Sequence, residues 1–367
     1  MKARLWIGLL CIGVLVGLAT TFRVYTAGFD VYAKTDILGW TMPLAAYIFL
    51  SLTSSGLAFC CSIPVIFNIK RYELIEKRTV FLEISVLLGA FVCLILHLGS
   101  PLNVFYLMLS PNLASPLWWL ATLYSIYLLV LLASFRKIHS GKPSKALCAT
   151  AFFIAIGTAT VLGWLVGMTD ARPTLNPNFL SVFCPLSAFA CGLAAILVFS
   201  LLTAHFSGKQ IPEERMSVYN DIAKLFGVMV GVTLLLTLWR TIVGVTSSSS
   251  LEFAAFRHMV KSLSFNIELW LGLVVPFVLM LIPSVRKSTA GKVTATVLFM
   301  VGMFAGRLEV ILSGEIMPLG VMAEGRADFV SYLPTIWEVF VALFGISVVL
   351  LVYTLGDRYL QLDAVHE

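Results

Sequence analysis

The chain has 367 residues, of which 59% are apolar and only 12% are charged, about half the charged share of a soluble domain. A soluble core needs no such excess, so a soluble enzyme or binding module is excluded, and the formal net charge of +6 records orientation in a bilayer rather than affinity for nucleic acid. A hydrocarbon layer of about 30 Å takes about 20 apolar residues as helix, and only helices or closed barrels satisfy their backbone inside it. The apolar runs have helix length. In chain order they predict an all-α polytopic membrane protein with ten transmembrane helices, at 5–22, 42–67, 80–98, 117–135, 146–168, 179–206, 222–245, 263–282, 293–312 and 332–355. The first run follows Lys2 and Arg4, but it is long and lacks a clear small-residue cleavage site, so it reads as a retained span rather than a signal peptide.

Orientation follows from lysine and arginine, which concentrate in cytoplasmic loops close to span ends. Seventeen of the 25 fall at the amino end, in the even-numbered loops and in the carboxyl tail, against six on the opposite side: Arg23, Lys34, Arg172, Arg257, Lys261 and Arg326. The split predicts that both termini lie in the cytoplasm. The longest connections are the outer loops at 23–41, 99–116, 246–262 and 313–331, long enough for short interfacial helices and the expected docking face for a partner. Seven of the eight tryptophans lie toward outer helix ends; beyond the usual interfacial belt, that bias suggests an aromatic-walled cavity in the outer half.

The seven cysteines all fall within apolar spans without CxxC spacing and read as small buried hydrophobes. They cannot supply four thiolates at loop-compatible spacing, so any iron–sulfur cluster is expected in another subunit. Haem is disfavoured because a transmembrane b-type haem needs two facing axial ligands, and only His97 stands within a span on the core side of the interface.

Ionisable groups inside spans are expensive and therefore functional candidates. Arg240, Glu268, Arg307 and Glu338 each lie five or six residues from an outer helix end, roughly 8 Å deep at about 1.5 Å per residue. Two cations and two anions at one depth predict a single cluster, read either as interhelical pairing or as a proton or ion path. Glu309 points about 200° around the helix from Arg307, extending that path or snorkelling.

A second constellation belongs to the first half. His97 ends the third span, Asp170 follows the fifth, and Tyr47 reaches the same depth from the second. With Trp118, Phe105 and Tyr106 nearby, they offer hydrogen bonds and proton exchange to a flat redox head group in an apolar pocket. That chemistry suits a quinone, and histidine titrates near neutrality, apt for the proton a quinol releases. Glu83, close to four turns before His97 on the same helix face, either lines a route from the cytoplasm or reaches to Arg78 or Lys77.

Four stretches carry a family resemblance: LGWTMPLAAYIFLSLTSSGLAF from Leu38, HLGSPLNVFYLMLSPNLASPLWW from His97, NIELWLGLVVPFVLML from Asn266 and YLPTIWEVFVALFGI from Tyr332. In order and spacing the chain resembles the NrfD and polysulfide reductase membrane subunits, in the ten-helix branch that includes HybB-type hydrogenase subunits. The resemblance implies one integral membrane domain built as two four-helix bundles, a quinone-binding one at 42–168 and a second at 179–312 with a possible proton path, flanked by helices at 5–22 and 332–355. It further implies a haem-free anchor that exchanges electrons between menaquinone or another quinone and a ferredoxin-like four-iron-cluster subunit on the outer face, with a catalytic or cytochrome subunit beyond. The quinone head group then belongs beside His97 and Asp170, and the charged positions of the second half match Arg240, Glu268, Arg307 and Glu338. Family members often carry an arginine in the segment after His97, where this chain has Ser100. The rival class is a secondary transporter that binds substrate or a coupling ion at the Arg/Glu cluster, against which stand the off-centre charges and the lack of a Gly/Pro-interrupted helix pair.

Overall fold

The computed structural model describes residues 2–98, 103–169, 172–208, 210–318, 325 and 329–362. Ser100, Asp170 and Arg326 lie outside them. The described residues are helical without a strand: α1 Lys2–Ala27, α2 Met42–Ile66, α3 Glu73–His97, α4 Val104–Leu109, α5 Pro116–His139, α6 Lys145–Gly167, α7 Pro177–Ser207, α8 Glu213–Val245, α9 Ser250–Lys261, α10 Leu263–Asn266, a π-helical stretch Ile267–Val274, α11 Val275–Leu281, α12 Pro283–Lys287, α13 Thr289–Glu315 and α14 Ile336–Tyr359.

All ten expected spans are present as helices long and apolar enough to cross a membrane. Ten crossings return both termini to one side, here called the terminal face. The opposite loop face carries the interfacial helices α4 and α9. Several helices outrun their apolar runs. α8 starts at Glu213 rather than at residue 222, because a helix continues into polar sequence once its nucleus is paid for by the buried part.

The starts are written locally. Pro116 and Pro177 occupy first turns, where the missing N–H costs nothing. Asn176 caps α7 by accepting from Phe179 N at 3.1 Å, and Thr335 with Glu338 forms a reciprocal capping box on α14.

Packing converges on α2, which touches α3, α6, α7, α13 and α14. Its crossing with α7 is a backbone contact. A Cβ on Gly56 would fall 1.8 Å from Ala188 O, and one on Gly192 would fall 2.2 Å from Gly56 C. Lipid supplies no hydrophobic drive between helices, so close backbone approach through small residues carries the association. α2, α3, α5 and α6 pack on one side of this seam, and α7, α8, the π-helical span and α13 on the other. α14 lies along α3 and carries α1, so the first and last helices sit together. Arg78 fastens that side, donating to Asp357 Oδ1 at 2.6 Å and to Tyr353 OH at 2.7 Å.

One span departs from regularity. Pro276 has no N–H to give to the carbonyl four residues back, and that residue, Gly272, is pressed against Gly302, whose own Cβ would fall 2.1 Å from Gly272 Cα. The helix there widens to π geometry over Ile267–Val274, a distortion common at functional positions. Sequence reading expected no such interruption.

Replacing Gly192 by leucine is expected to abolish assembly of the fold, since overpacking a flexible core already costs about 1–3 kcal/mol and here the obstacle is backbone. The check is monodisperse yield in mild detergent; a Gly192→Leu protein with wild-type thermal stability would show that the seam is not close-packed.

Candidate functional site

Among the described residues, the loop-face end of the first half holds three buried polar atoms without hydrogen-bond partners: His97 Nδ1, Trp118 Nε1 and Thr41 Oγ1. Buried polar atoms are otherwise almost always satisfied. His97 is the last residue of α3, Trp118 belongs to the first turn of α5, and Thr41 immediately precedes α2. The neighbouring Trp119 is differently employed, donating from Nε1 to Leu113 O at 2.9 Å. Beneath them Tyr47 is buried and meets Tyr124 edge-on, with ring centroids 6.3 Å apart. The segments that follow His97 and α6, residues 99–102 and 170–171, are outside the described residues, so the placement of Asp170 is not described. Tyr106, expected in the pocket wall, stands 70% exposed on α4, a helix without buried residues. Of four cavities measured, none is lined by His97 or Tyr47.

A strap between α1 and α2 runs across this end, tied down by groups from the far end of the chain. Ala33 N donates to Glu338 Oε1 at 3.3 Å, Trp40 N to Glu315 Oε2 at 2.8 Å, and Met42 N to Tyr332 OH at 3.0 Å. Tyr32 OH donates to Leu96 O at 3.0 Å, next to His97. Tyr332 OH and Thr335 N both donate to Glu338 Oε2, at 3.2 and 2.7 Å. Glu338 is thus removed from the charge cluster in which depth counting placed it. Equal depth says nothing about azimuth, and α14 packs on α1, α2 and α3. Lys34, on the strap, is close enough for its charge to act on His97. Burial lowers the Lys34 pKa against the opposing pull of Glu338 and Glu315. Burial, and then Glu338, push the phenols of Tyr32 and Tyr332 up, which keeps both as donors. Sequence reading missed Lys34, Glu315 and Tyr332 because a charge or phenol in a loop or at a helix end is unremarkable by itself.

The interior of the first half holds a polar column. Glu83, 1% exposed, accepts from Tyr127 OH, and Ser54 Oγ donates to the Glu83 carbonyl at 3.2 Å. It does not reach Arg78 or Lys77, one of its two expected roles, because those side chains turn to α14 and the carboxyl end, Lys77 donating to Gln361 O at 3.1 Å. On the loop-face side, the Tyr124 hydroxyl faces Ser51, Ser55 and Thr158 without meeting any in hydrogen-bond geometry. On the other side, a cavity of about 240 Å³ opens at the terminal face, lined by Cys60, Cys61, Glu73 and Glu76 among others, and Cys148 Sγ donates to Glu76 Oε1 at 3.8 Å.

The second half gathers Arg240, Glu268, Arg307 and Glu309, which act on one another electrostatically. Glu268 stands at the start of the π-helical stretch over Gly306, where a Cβ would fall 2.3 Å from its Cδ. Arg307 Nη2 donates to Ser187 Oγ at 2.5 Å, its guanidinium lies 5.3 Å from the Phe183 ring centroid, and its buried Nε has no partner. Glu309 accepts from Ser262 Oγ at 2.7 Å and from Ser264 Oγ. Among the described residues neither Arg240 nor Arg307 has a carboxylate within 4.0 Å. The expected mutual pairing is therefore an open network.

The chain is similar over most of its length to three proteins. One, from Halobacterium salinarum and provisionally named as a membrane subunit of dimethyl sulfoxide reductase, is 23% identical, the match covering 98% of this chain and 92% of that protein. The Hdr-like menaquinol oxidoreductase integral membrane subunit of Archaeoglobus fulgidus is 20% identical over 88% and 85%. A selenate reductase subunit of Mesobacillus selenatarsenatis is 20% identical over 95% and 92%. The family model described as "Polysulphide reductase, NrfD" matches residues 30–318, from the strap to the end of α13, and this ten-span membrane protein belongs to that family.

Proposed function

We propose that the chain is the quinone-reactive membrane subunit of an oxidoreductase complex. It exchanges electrons between menaquinone or a related quinone and an iron–sulfur partner docked on the loop face. The observation that carries this reading is the pair of buried, unpartnered ring nitrogens of His97 and Trp118 at one end of the first half, above the edge-packed Tyr47 and Tyr124. A planar ring with oxygens at opposite edges needs such groups in an apolar surround. The names of the three relatives agree with it, two being reductase subunits and the third a menaquinol oxidoreductase subunit.

A quinol in this site supplies two electrons and two protons. His97 takes one proton at Nδ1 and Asp170 the other, and the Trp118 N–H fixes the ring by hydrogen bonding. The partner is a ferredoxin-like subunit with four-iron clusters, joined to a further catalytic or cytochrome subunit. The loop face is outside and both termini lie in the cytoplasm of a bacterial or archaeal cell, an orientation that the charge split between faces supports.

Protons move through the interior on two sets of groups. Glu83 with Tyr127 connects the terminal-face cavity toward Tyr124 and Tyr47. Arg240, Glu268 and Arg307 form the second set, and their open geometry lets a carboxyl change protonation without breaking an ion pair. Glu338 keeps the strap over His97. The rival transporter reading draws on the π-helical break at Glu268, a broken helix being a common transporter feature.

His97→Leu in the assembled complex is expected to cut quinol-coupled turnover by about 100-fold or more, the scale of a lost general base, with subunit ratio unchanged on size exclusion. Wild-type turnover in both His97→Leu and Asp170→Asn would reject the site. Glu268→Gln is expected to abolish proton movement in liposomes while leaving quinol oxidation in detergent within about twofold, because the second half lies away from the ring nitrogens. Full proton movement in that variant would remove the second set from the path.

A further inference from the structure

The loop face of the second half holds a cavity of about 450 Å³ that shares only Arg240 with the residues of the redox reading. Its wall comes from the segment 172–176, from Phe179 in the first turn of α7, from Trp239, Arg240 and Val243 in the last turns of α8, and from Phe256 of the interfacial helix α9. Two guanidiniums line it, Arg172 and Arg240. Arg172 Nη1 donates to the carbonyls of Met317 at 2.9 Å and Glu315 at 3.4 Å. Arg240 Nη2 donates to Thr174 O at 3.3 Å, with its guanidinium 5.6 Å from the Phe256 ring centroid. Among the described residues neither has a carboxylate within 4.0 Å. Among the described residues, none of their remaining N–H groups is both buried and unpartnered.

The acids nearby are otherwise engaged. Glu252, on the wall, accepts from Ser247 Oγ at 2.6 Å at the start of α9. Glu309 is taken by two serines, and Glu268 acts on Arg240 from the bundle interior together with Arg307. The rim is apolar and faces the hydrocarbon: Trp239 is 62% exposed, with Ile242 and Val243 beside it on the last turns of α8. Two guanidinium forks at the floor and a lipid-facing rim at interfacial depth describe an amphiphile with an anionic oxygen-rich head. A neutral quinone ring has no use for two cations, and a soluble anion has no use for the rim. Guanidinium matches phosphate geometry through paired N–H donors.

We propose that this cavity seats the phosphate of one membrane phospholipid between Arg172 and Arg240, with its chains running down the Trp239 and Val243 side of α8. The lipid holds α9 and the 172–176 segment against α8 and gives Arg240 an anion at a range where, among the described residues, no carboxylate stands. The assignment is independent of quinone chemistry.

Native mass spectrometry on the delipidated full-length chain in mild detergent tests it, with dioleoyl phosphatidylglycerol, dioleoylglycerol or inorganic phosphate added. Phosphatidylglycerol is expected to be retained at one per chain and at least about tenfold more tightly than dioleoylglycerol, the scale of one charge-assisted hydrogen-bond set. Arg172→Gln and, separately, Val243→Trp, which blocks the rim from an outward-facing position, are each expected to weaken retention about tenfold. Arg257→Gln, an exposed α9 arginine off the cavity wall, is expected to leave it unchanged. Equal retention of dioleoylglycerol, displacement of the lipid by millimolar inorganic phosphate, or undiminished retention in both Arg172→Gln and Val243→Trp would each overturn the proposal.

Discussion

The contact between α2 and α7 at Gly56 and Gly192 is a constraint that reaches both halves. Backbone can lie on backbone only where side chains are small, so the seam is built from glycine, alanine, serine and threonine. Those serines and threonines bring hydroxyls into hydrocarbon. Most return the hydrogen bond to their own helix, as Thr53 does to Phe49 O at 2.7 Å and Ser187 to Phe183 O at 2.7 Å, which satisfies the donor locally. The hydroxyl oxygen then remains available as an acceptor. Ser187, adjacent to the Ala188 carbonyl that faces Gly56, receives Arg307. On the other strand of the seam, Ser54 holds the Glu83 carbonyl and faces Tyr127 with its own carbonyl. Close packing and buried polarity are one choice of residues.

That choice explains why Arg307 and Glu309 survive in the second half without a salt bridge among the described residues. In hydrocarbon an isolated charge is costly, and a closed ion pair would be the obvious remedy. The second half instead surrounds Arg307 with a hydroxyl and the face of Phe183, and Glu309 with two hydroxyls. Each charge is partly compensated by dipoles and by its neighbours a few ångströms further away. Such compensation is weaker than a closed pair and leaves no carboxyl locked to a single cation.

Much of this was legible beforehand. Ten spans, the two interfacial helices and the concentration of buried charge in the second half follow from apolar run length, loop length and the cost of burying charge. What escaped depends on azimuth and distant partners. Glu338 and Arg307 share a depth, but one side chain caps α14 over the strap and the other points into the second half. Tyr106 sits in an aromatic-rich stretch, yet a helix of six residues at the interface exposes it. Glu83 was readable as a buried acid, but its partner Tyr127 lies 44 positions away on another helix, beyond any local pattern. The π-helical stretch has a visible cause in Pro276, and only the opposing Gly302 on α13 reveals why the chain widens there rather than kinking.

The strap shows how the ends of the chain serve its middle. α14 is apolar enough to be only a spare span, and α1 is largely lipid-facing. Yet α14 delivers Glu338, and the preceding segment delivers Tyr332, to the backbone N–H groups of residues 33 and 42. The end of α13 delivers Glu315 to Trp40 N. A loop next to His97 would otherwise expose these donors at a membrane surface, where water competes for them and the loop samples many shapes. Three fixed acceptors, two carboxylates at helix ends and the Tyr332 hydroxyl, remove that freedom. They also bring Lys34 to a set position near His97, so the electrostatics of the imidazole depend on residues more than two hundred positions away in sequence. Substitutions at Glu315 or Glu338 therefore act on His97 through the strap and through Lys34, without either carboxylate belonging to the ring-nitrogen site itself.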